Sequence, residues 1–222
     1  IIGGTGSGKT TLVNLIPRFF DVTKGKVMVD GTDIREMSQE SLREAIGYVP
    51  QKGVLFSGTI ASNLRYGKED ATKEQVMDAA CIAQAKEIID GKKDGLDSAI
   101  AQGGSNVSGG QKQRFSIARA IVKDPKIYIF DDSFSALDYK TDAILRRELS
   151  KKTKEAAVII VAQRISTILH AEQIIVLNEG KVAGIGTHQE LFDQCAIYRE
   201  IAESQLSEAD IAKLKAQGKE VM

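Results

Sequence analysis

Two adjacent carboxylates, Asp131 and Asp132, follow the apolar run of residues 127–130. A buried strand seldom ends in paired acids unless a cation or a proton offsets their charge, because desolvated charges are costly. Carboxylate oxygens are good ligands for Mg²⁺, and a carboxylate can also take a proton from water. The pair therefore indicates a metal ion or a proton transfer at the end of this strand.

A glycine-rich segment near the start of the chain indicates which ligand the two carboxylates would serve. The sequence GGTGSGKT (Gly3–Thr10) fits the pattern G-x-x-x-x-G-K-[S/T] and lies between apolar residues and an amphipathic segment. Glycines let backbone N–H groups turn toward phosphate oxygens, and the helix that follows adds a positive dipole. We predict that ATP is held by Gly3, Gly4, Thr5, Gly6, Ser7, Gly8, Lys9, Thr10 and Thr11.

We call Gly3–Thr10 the phosphate loop, and its charged and hydroxyl groups are predicted to have separate roles. Lys9 would reach the β- and γ-phosphates, and the Thr10 hydroxyl would bind Mg²⁺. Asp131 would hold the same metal through water. Asp132 would then face the γ-phosphate and the attacking water.

A second anion site is predicted within Asn106–Pro125, NVSGGQKQRFSIARAIVKDP. Ser108 is a natural N-cap, and the residues after it have the apolar spacing of an amphipathic helix, with Phe115, Ala118 and Val122 on one face. Exposed N–H groups beside a hydroxyl favour phosphate. One ATP does not need two such sites in one protomer. We therefore predict that a nucleotide bound to another protomer contacts Ser108, Gly109, Gly110 and Gln111.

Apolar β-rich runs alternate with helical patterns, which predicts an α/β fold with a mostly parallel sheet. The predicted strands are 26–29, 126–130, 158–161 and 174–177, and the predicted helices are 9–19, 111–123 and 139–151. Residues 176–186 are typical of a hairpin with its turn at 178–180. Because the chain opens on what is typical of the tail of a strand, we expect further strands before residue 1.

Residues 59–107 interrupt the alternation, with helical patterns at 73–80 and 83–89 and no convincing strand. The predicted organisation is an ATP-binding core of 1–58 and 108–202, a helical subdomain of 59–107, and a charged tail of 203–222 that is a frayed helix or disordered.

The composition narrows the function classes. Lys and Arg together number 30, as do Asp and Glu, so the formal net charge is zero and nothing favours nucleic acid as a partner. Cys81 and Cys195 lack metal-type spacing and are expected to be packing residues in a reduced cytosolic setting. The longest purely apolar stretch, 156–162, is far shorter than the roughly 20 residues that cross a bilayer.

Several motifs together resemble the nucleotide-binding domains of ABC transporters. VSGGQ (Val107–Gln111) resembles the family's signature motif, with Val107 in place of the usual Leu, and YVPQ (Tyr48–Gln51) resembles its Q-loop. SALD (Ser135–Asp138) resembles the D-loop, and Leu55–Gly67 is similar to the stretch after the Q-loop in multidrug and lipid exporters. The resemblance implies a P-loop ATPase core with an inserted helical subdomain.

In that family, two domains pair head to tail and each ATP lies between one phosphate loop and the other domain's signature. The resemblance implies that Gln51 contacts ATP and Mg²⁺, with Thr10 and Asp131 as further metal ligands. It also implies that the Q-loop links to a transmembrane domain of an ABC exporter, expected in the same polypeptide. It also implies a place at the cytoplasmic face of the cell membrane. The aromatic residue that stacks on adenine is expected before residue 1, and the substrate is chosen by membrane helices outside this sequence.

Two departures concern hydrolysis. The family's catalytic base is usually Glu, where this chain has the shorter Asp132, and the switch region VAQRIST has Gln163 where His is usual. A displacement of roughly 1 Å can cost about 100-fold in rate, and an amide cannot titrate as imidazole does. Together they resemble the degenerate half of a heterodimeric exporter, with Asp132, Gln163 and Gln51 as its catalytic residues. His170 and His188 are expected to be structural or surface residues.

Three alternatives stay open. A homodimeric exporter ATPase would tolerate Asp132 and Gln163. A soluble ABC protein of DNA repair or translation would clamp without transport, although the chain has no room for the long coiled-coil insertion of repair proteins. A nucleotide-gated module without turnover is disfavoured by the well-formed signature motif.

Overall fold

The computed structural model describes residues 1–206, and the predicted tail lies mostly outside these described residues. Two compact units make up the chain. Among the described residues, the first comprises Ile1–Val13 together with residues 160–206, and the second comprises Asn14–Ile159. No helix in the described part of the chain is long and apolar enough to cross a membrane.

The first unit is built on a sheet in the order β1-β9-β10. Strand β1 runs parallel to β9, and β9 continues into the predicted hairpin with antiparallel β10, which carries an irregularity between Val182 and Gly184. Two helices supply apolar residues such as Phe192 and Tyr198 to one core with the sheet. The elements are β1 (Ile2–Gly3), β9 (Ile174–Asn178), β10 (Lys181–Gly186), α8 (His188–Gln194) and α9 (Ala196–Gln205).

Helix α1 (Lys9–Asn14) follows the phosphate loop and is shorter than the predicted 9–19. Pro17 disfavours helical geometry in the residue before it, and Arg18 has a positive φ of 55°. The apolar spacing of a helix continues past residue 14, but the helix itself ends at Asn14.

The second unit contains the parallel pair predicted for the core. Strand β4 runs parallel to β7, with Ile46 opposite Ile127 and Val49 opposite Phe130, in the order β4-β7-β8. The sequence analysis missed β4. The larger elements are α2 (Gln39–Glu44), β4 (Ile46–Val49), α6 (Gly109–Lys123), β7 (Ile127–Asp131), α7 (Tyr139–Lys152) and β8 (Ala157–Val161). The last two residues of β8 are counted in the first unit.

The segment predicted as a helical subdomain is indeed largely helical, but the expectation that it holds no strand is wrong. Gly58–Thr59 pairs antiparallel with Ala99–Ile100, so a two-residue ladder joins the two ends of the segment. A small hairpin of β2 (Met28–Val29) and β3 (Thr32–Asp33) precedes it. The elements within the segment are β5 (Gly58–Thr59), α3 (Ile60–Arg65), α4 (Lys73–Ile82), α5 (Lys86–Asp90) and β6 (Ala99–Ile100).

Candidate functional site

The phosphate loop adopts a backbone that its glycines make accessible. Gly6 and Gly8 have φ angles of 78° and 96°, in the region where a side chain is strained. The Lys9 ammonium donates hydrogen bonds to the carbonyl oxygens of Gly3 and Gly4, at 2.7 Å each. Lys9 therefore holds its charge against the loop, where a bound phosphate would need it.

The turn of the β9–β10 hairpin contacts the phosphate loop through a backbone hydrogen bond. The N–H of Gly180 donates to the carbonyl of Ser7 at 3.2 Å, and Ser7 is buried. A Cβ on Gly3 would lie 2.1 Å from the carbonyl oxygen of Leu177, so only glycine fits beside β9. The sequence analysis did not connect the hairpin with the loop, because nothing local in either segment indicates the contact.

The paired carboxylates lie where they were predicted, at the end of β7. Asp131 is 3% exposed and Asp132 is 7% exposed. Asp132 has a φ of 48°, and Asp is one of the few non-glycine residues that adopt this left-handed region readily. The Ser133 hydroxyl donates to the carbonyl of Val49 at 2.9 Å and ties this turn to the end of β4.

The parallel pairing of β4 and β7 brings the Q-loop motif beside both carboxylates. The Gln51 side-chain amide donates to Asp132, with an Nε2–Oδ2 distance of 3.1 Å. The Tyr48 hydroxyl lies 3.2 Å from Asp131 Oδ2 and 2.9 Å from Asn14 Oδ1. Burial raises the pKa of Tyr48, and the negative charge of Asp131 raises it further, so Tyr48 stays a neutral donor.

These oxygens fit a magnesium ion bound jointly with phosphates. Within residues 1–206, no group of three or more His, Cys, Asp and Glu side chains gathers as a metal cage. Mg²⁺ is usually held by one or two carboxylates, a substrate phosphate and water. The Asp131 carboxylate suits that pattern, and the Gln51 amide lies against the adjacent Asp132. The donor set therefore fits Mg²⁺ better than a metal that needs several His or Cys ligands.

Ser108 caps α6 as predicted. Its hydroxyl accepts from the N–H of Gln111 at 3.3 Å, while the Gln111 side chain accepts from the N–H of Ser108 at 3.1 Å. An added Cβ on Gly109 would meet nothing within 4 Å, so this helix start is open to a ligand. The predicted apolar face is confirmed, because Phe115, Ala118 and Val122 are all buried.

Helix α6 also contacts the Q-loop, through a residue that the sequence analysis did not single out. The Gln113 side chain is buried and donates to the carbonyl of Pro50 at 3.0 Å. A Cβ on Gly53 would lie 2.8 Å from the Lys112 backbone. The backbone of α6 thus packs directly against the backbone of the segment that holds Gln51.

The switch residue Gln163 is exposed and lies just after β8. Its carbonyl accepts from the Gln205 side chain at 2.8 Å, and the same side chain accepts from the N–H of Ile165 at 2.9 Å. Gln205 thus fixes the backbone on both sides of Arg164. Because Gln205 is more than 40 residues away in sequence, no local pattern could indicate this clamp.

The histidines and cysteines divide between core and surface. His188 is buried and its Nδ1 lies 2.7 Å from the Tyr198 hydroxyl, whereas His170 is exposed, so both match the expectation of structural or surface residues. Cys195 packs in the core as predicted. The prediction for Cys81 is wrong: it is exposed, because α4 buries Val76, Ala79 and Ala80 instead.

Comparison with known proteins decides the family. The profile of the family described as ABC transporter matches residues 1–135. The chain belongs to the ABC transporter family. An ABC transporter ATP-binding protein of Mycobacterium bovis, itself uncharacterized, is 49% identical over 214 residues, which cover 95% of this chain and 36% of that protein.

Two further relatives place the chain among ABC proteins of known description. An ATP-dependent lipid A-core flippase of Chromobacterium violaceum is 39% identical, over 94% of this chain and 36% of that protein. The solved structure of a bacterial Atm1-family ABC exporter with ATP bound superposes with a TM-score of 0.89 and 37% identity, over 93% of this chain and 36% of that one. The predicted ABC ATPase fold, α/β with a parallel sheet, is confirmed. The chain spans 36% of the length of these relatives.

Proposed function

We propose that this chain is the ATP-binding motor domain of an ABC exporter and pairs head to tail with a second nucleotide-binding domain. The observation that carries the proposal is the buried pair Asp131 and Asp132, contacted by Tyr48 and Gln51, in a chain that also has the phosphate loop. We assign residues 1–58 and 108–202 to the ATP-binding core and 59–107 to the helical subdomain.

We assign one role in ATP binding or hydrolysis to each group in the proposed site. The phosphate loop and Thr11 hold the phosphates, with Lys9 matching their charge and Thr10, Gln51 and Asp131 binding Mg²⁺. Mg²⁺ held by these residues would neutralise charge that develops on the phosphates. Asp132 takes the proton of the attacking water, and Gln163 hydrogen-bonds the γ-phosphate.

The second anion site serves the partner. Ser108, Gly109, Gly110 and Gln111 complete the site of the ATP bound to the partner domain, and the open start of α6 supports this role. The chain's own site is weakly hydrolytic, because Asp132 is one methylene shorter than Glu and Gln163 carries no charge. The best partner is therefore a different domain with a competent site, which makes the native pair a heterodimer.

The export role is proposed from the relatives. One is described as a lipid A-core flippase and another as an Atm1-family exporter, each nearly three times as long as the matched part. We propose that this chain is likewise joined to a transmembrane domain and works at the cytoplasmic face of the cell membrane.

The Lys9→Ala variant tests the ATP site. We expect Mg-ATP affinity to fall by roughly 100-fold, because hydrogen bonds to charged groups contribute about 1.5–3 kcal/mol each. Binding is measured by isothermal titration calorimetry on the domain with the strands expected before residue 1 included. The matched control Lys24→Ala removes an exposed lysine outside the loop and should bind ATP as the natural chain does. Equal affinity in the two variants would contradict the proposed site.

A further inference from the structure

The Gln205 side chain, in the last turn of α9, holds the switch region (Val161–Thr167) through both ends of its amide. Its Nε2 donates to the carbonyl of Gln163 at 2.8 Å, and its Oε1 accepts from the N–H of Ile165 at 2.9 Å. The two contacts lie on either side of Arg164. Because hydrogen bonds are directional, they fix the peptide units between them and restrict where the Gln163 side chain can point.

The two contacts need a donor and an acceptor held side by side, which an amide supplies. A carboxylate accepts hydrogen bonds but cannot donate to the Gln163 carbonyl, and an ammonium group donates but cannot accept from the Ile165 N–H. The amide at position 205 is therefore matched to the backbone groups that it contacts.

The N–H of Ile165 is a group that needs a partner from outside its own turn. Ile165–Thr167 forms a short 3₁₀ helix, and Arg164 before it gives no side-chain cap. The first N–H groups of a helix have no acceptor within that helix. Ile165 is buried, so water has poor access to it. Gln205 supplies the acceptor from the end of another helix.

Helix α9 is anchored in the core of the first unit, so the Gln205 side chain extends from a fixed backbone. Tyr198 and Ala202 on α9 are fully buried and belong to the same apolar cluster as Ile165. Leu206, which directly follows Gln205, packs against this cluster as well. Packing therefore sets the position of Gln205 relative to the switch region.

The switch region begins beside the strand that leads into the phosphate loop. The N–H of Ala162 donates to the carbonyl of Ile1 at 3.0 Å, and β1 (Ile2–Gly3) follows directly. These residues all belong to the first unit. Gln163, next in the chain after Ala162, is thus close to the loop that is proposed to hold the phosphates.

We propose that Gln205 is a positioning residue for the γ-phosphate, because its two contacts direct the Gln163 amide toward that group. The inference rests on the proposed function, in which Gln163 hydrogen-bonds the γ-phosphate. ADP has no γ-phosphate, so the Gln205 contacts strengthen the binding of ATP and not that of ADP. Gln205 therefore sets the preference of the site for ATP without touching the nucleotide.

A purely structural role for Gln205 has a different consequence. If its amide only tied α9 to the core, its loss would disturb the first unit as a whole and weaken the binding of ATP and ADP alike. The ratio of the Mg-ADP and Mg-ATP dissociation constants therefore separates the two roles.

Gln205→Leu, measured by isothermal titration calorimetry in the full-length protein that carries this domain, tests the role. The variant loses donor and acceptor at similar size. We expect Mg-ATP binding to weaken by about tenfold and Mg-ADP binding to stay unchanged, because one hydrogen bond to a charged group is lost. Gln194→Leu, the same exchange at an exposed glutamine that ends α8, is the control and should keep the natural ratio. An unchanged ratio in Gln205→Leu would overturn the inference.

Lys9→Ala in the same protein identifies the binding that belongs to this phosphate loop. Nucleotide binding that is lost in this variant is assigned to the chain's own site, and the ratio is calculated for that part. If Lys9→Ala loses binding and Gln205→Leu keeps the natural ratio, the inference fails and the proposed function stands. If Lys9→Ala loses no binding, the proposed function fails and the inference fails with it.

A double-mutant cycle shows whether Gln205 acts through Gln163. Gln163→Ala alone should lower the preference for ATP by about tenfold, because the donor to the γ-phosphate is removed. In that variant, Gln205→Leu should lower the preference no further. Additive losses would mean that Gln205 acts by another route, which would overturn the inference.

Gln205→Glu tests whether both contacts are needed. At neutral pH its carboxylate can still accept from the Ile165 N–H, but it cannot donate to the Gln163 carbonyl. We expect the same loss of preference for ATP as in Gln205→Leu, with Mg-ADP binding unchanged. A natural preference in Gln205→Glu would contradict the inference, since the contact with Gln163 would then be dispensable.

Discussion

The side-chain amide of Gln51 donates a hydrogen bond to the carboxylate of Asp132, with 3.1 Å between Nε2 and Oδ2. The contact follows from topology, because β4 and β7 are parallel neighbours and the chain continues from their carboxyl ends into Gln51 and Asp132. It joins the residue proposed to contact Mg²⁺ to the residue proposed as the base. The hydrolytic capacity of this chain therefore depends on where that short carboxylate can reach.

Restoring the longer acid and the imidazole should raise hydrolysis. In the assembled transporter, Asp132→Glu combined with Gln163→His is expected to increase the ATPase rate by about 100-fold, because the base would reach the attacking water. Steady-state phosphate release measures the rate. Gln205→Glu, which alters the clamp beside Gln163 without adding an imidazole, serves as the comparison and should not increase it. A flat response to the double change would mean that other residues keep the site silent.

Ser108→Arg should damage the partner's site and spare this chain's own. The large side chain would fill the open start of α6, and loss of the cap would cost about 1 kcal/mol of helix stability. We expect turnover by the assembled pair to fall by about 100-fold while ATP binding at this phosphate loop stays nearly unchanged. Ser105→Arg, at a nearby exposed position, is the control. Loss of this chain's own ATP binding would contradict head-to-tail pairing.

His188 should make the stability of the chain depend on pH. Burial lowers the pKa of His188, and the charge of His170 lowers it further, so the folded state favours the neutral ring. The unfolded state takes up a proton near pH 6.5, so the free energy of unfolding should be full above that pH and fall as the pH drops below it.

The variant His188→Gln checks this sign. Its melting temperature should fall less than that of the natural chain between pH 7.5 and 5.5, as followed by circular dichroism. His170→Gln, at an exposed histidine, should keep most of the pH dependence. Equal pH dependence in His188→Gln and the natural chain would show that His188 does not carry the effect.

Local signals predicted much of the candidate site. The Ser108 cap and α6 were predictable because cap, glycines and apolar spacing lie within one continuous segment. The end of β7 at Asp131 was predictable because an apolar run stops at two acids. These features depend on neighbours in sequence, which periodicity and composition report directly.

Contacts between distant segments could not be predicted. Strand β4 was missed because Gly47 interrupts its short apolar run, yet a Cβ there would lie 2.7 Å from Pro125, so close packing requires that glycine. The clamp of Gln205 on the switch region likewise arises only from folding. Sequence patterns identify residue types at a site, but tertiary packing decides what supports them.

The measurement that tests the account most directly is Mg-ATP binding and ATPase rate of this domain, with the strands expected before residue 1 included, across a wide range of protein concentrations. The account predicts tight binding with negligible turnover at every concentration, because Asp132 and Gln163 leave the site poorly equipped for hydrolysis. Turnover that rises steeply with concentration would contradict it. That result would mean a self-sufficient homodimer in which Asp132 is a working base.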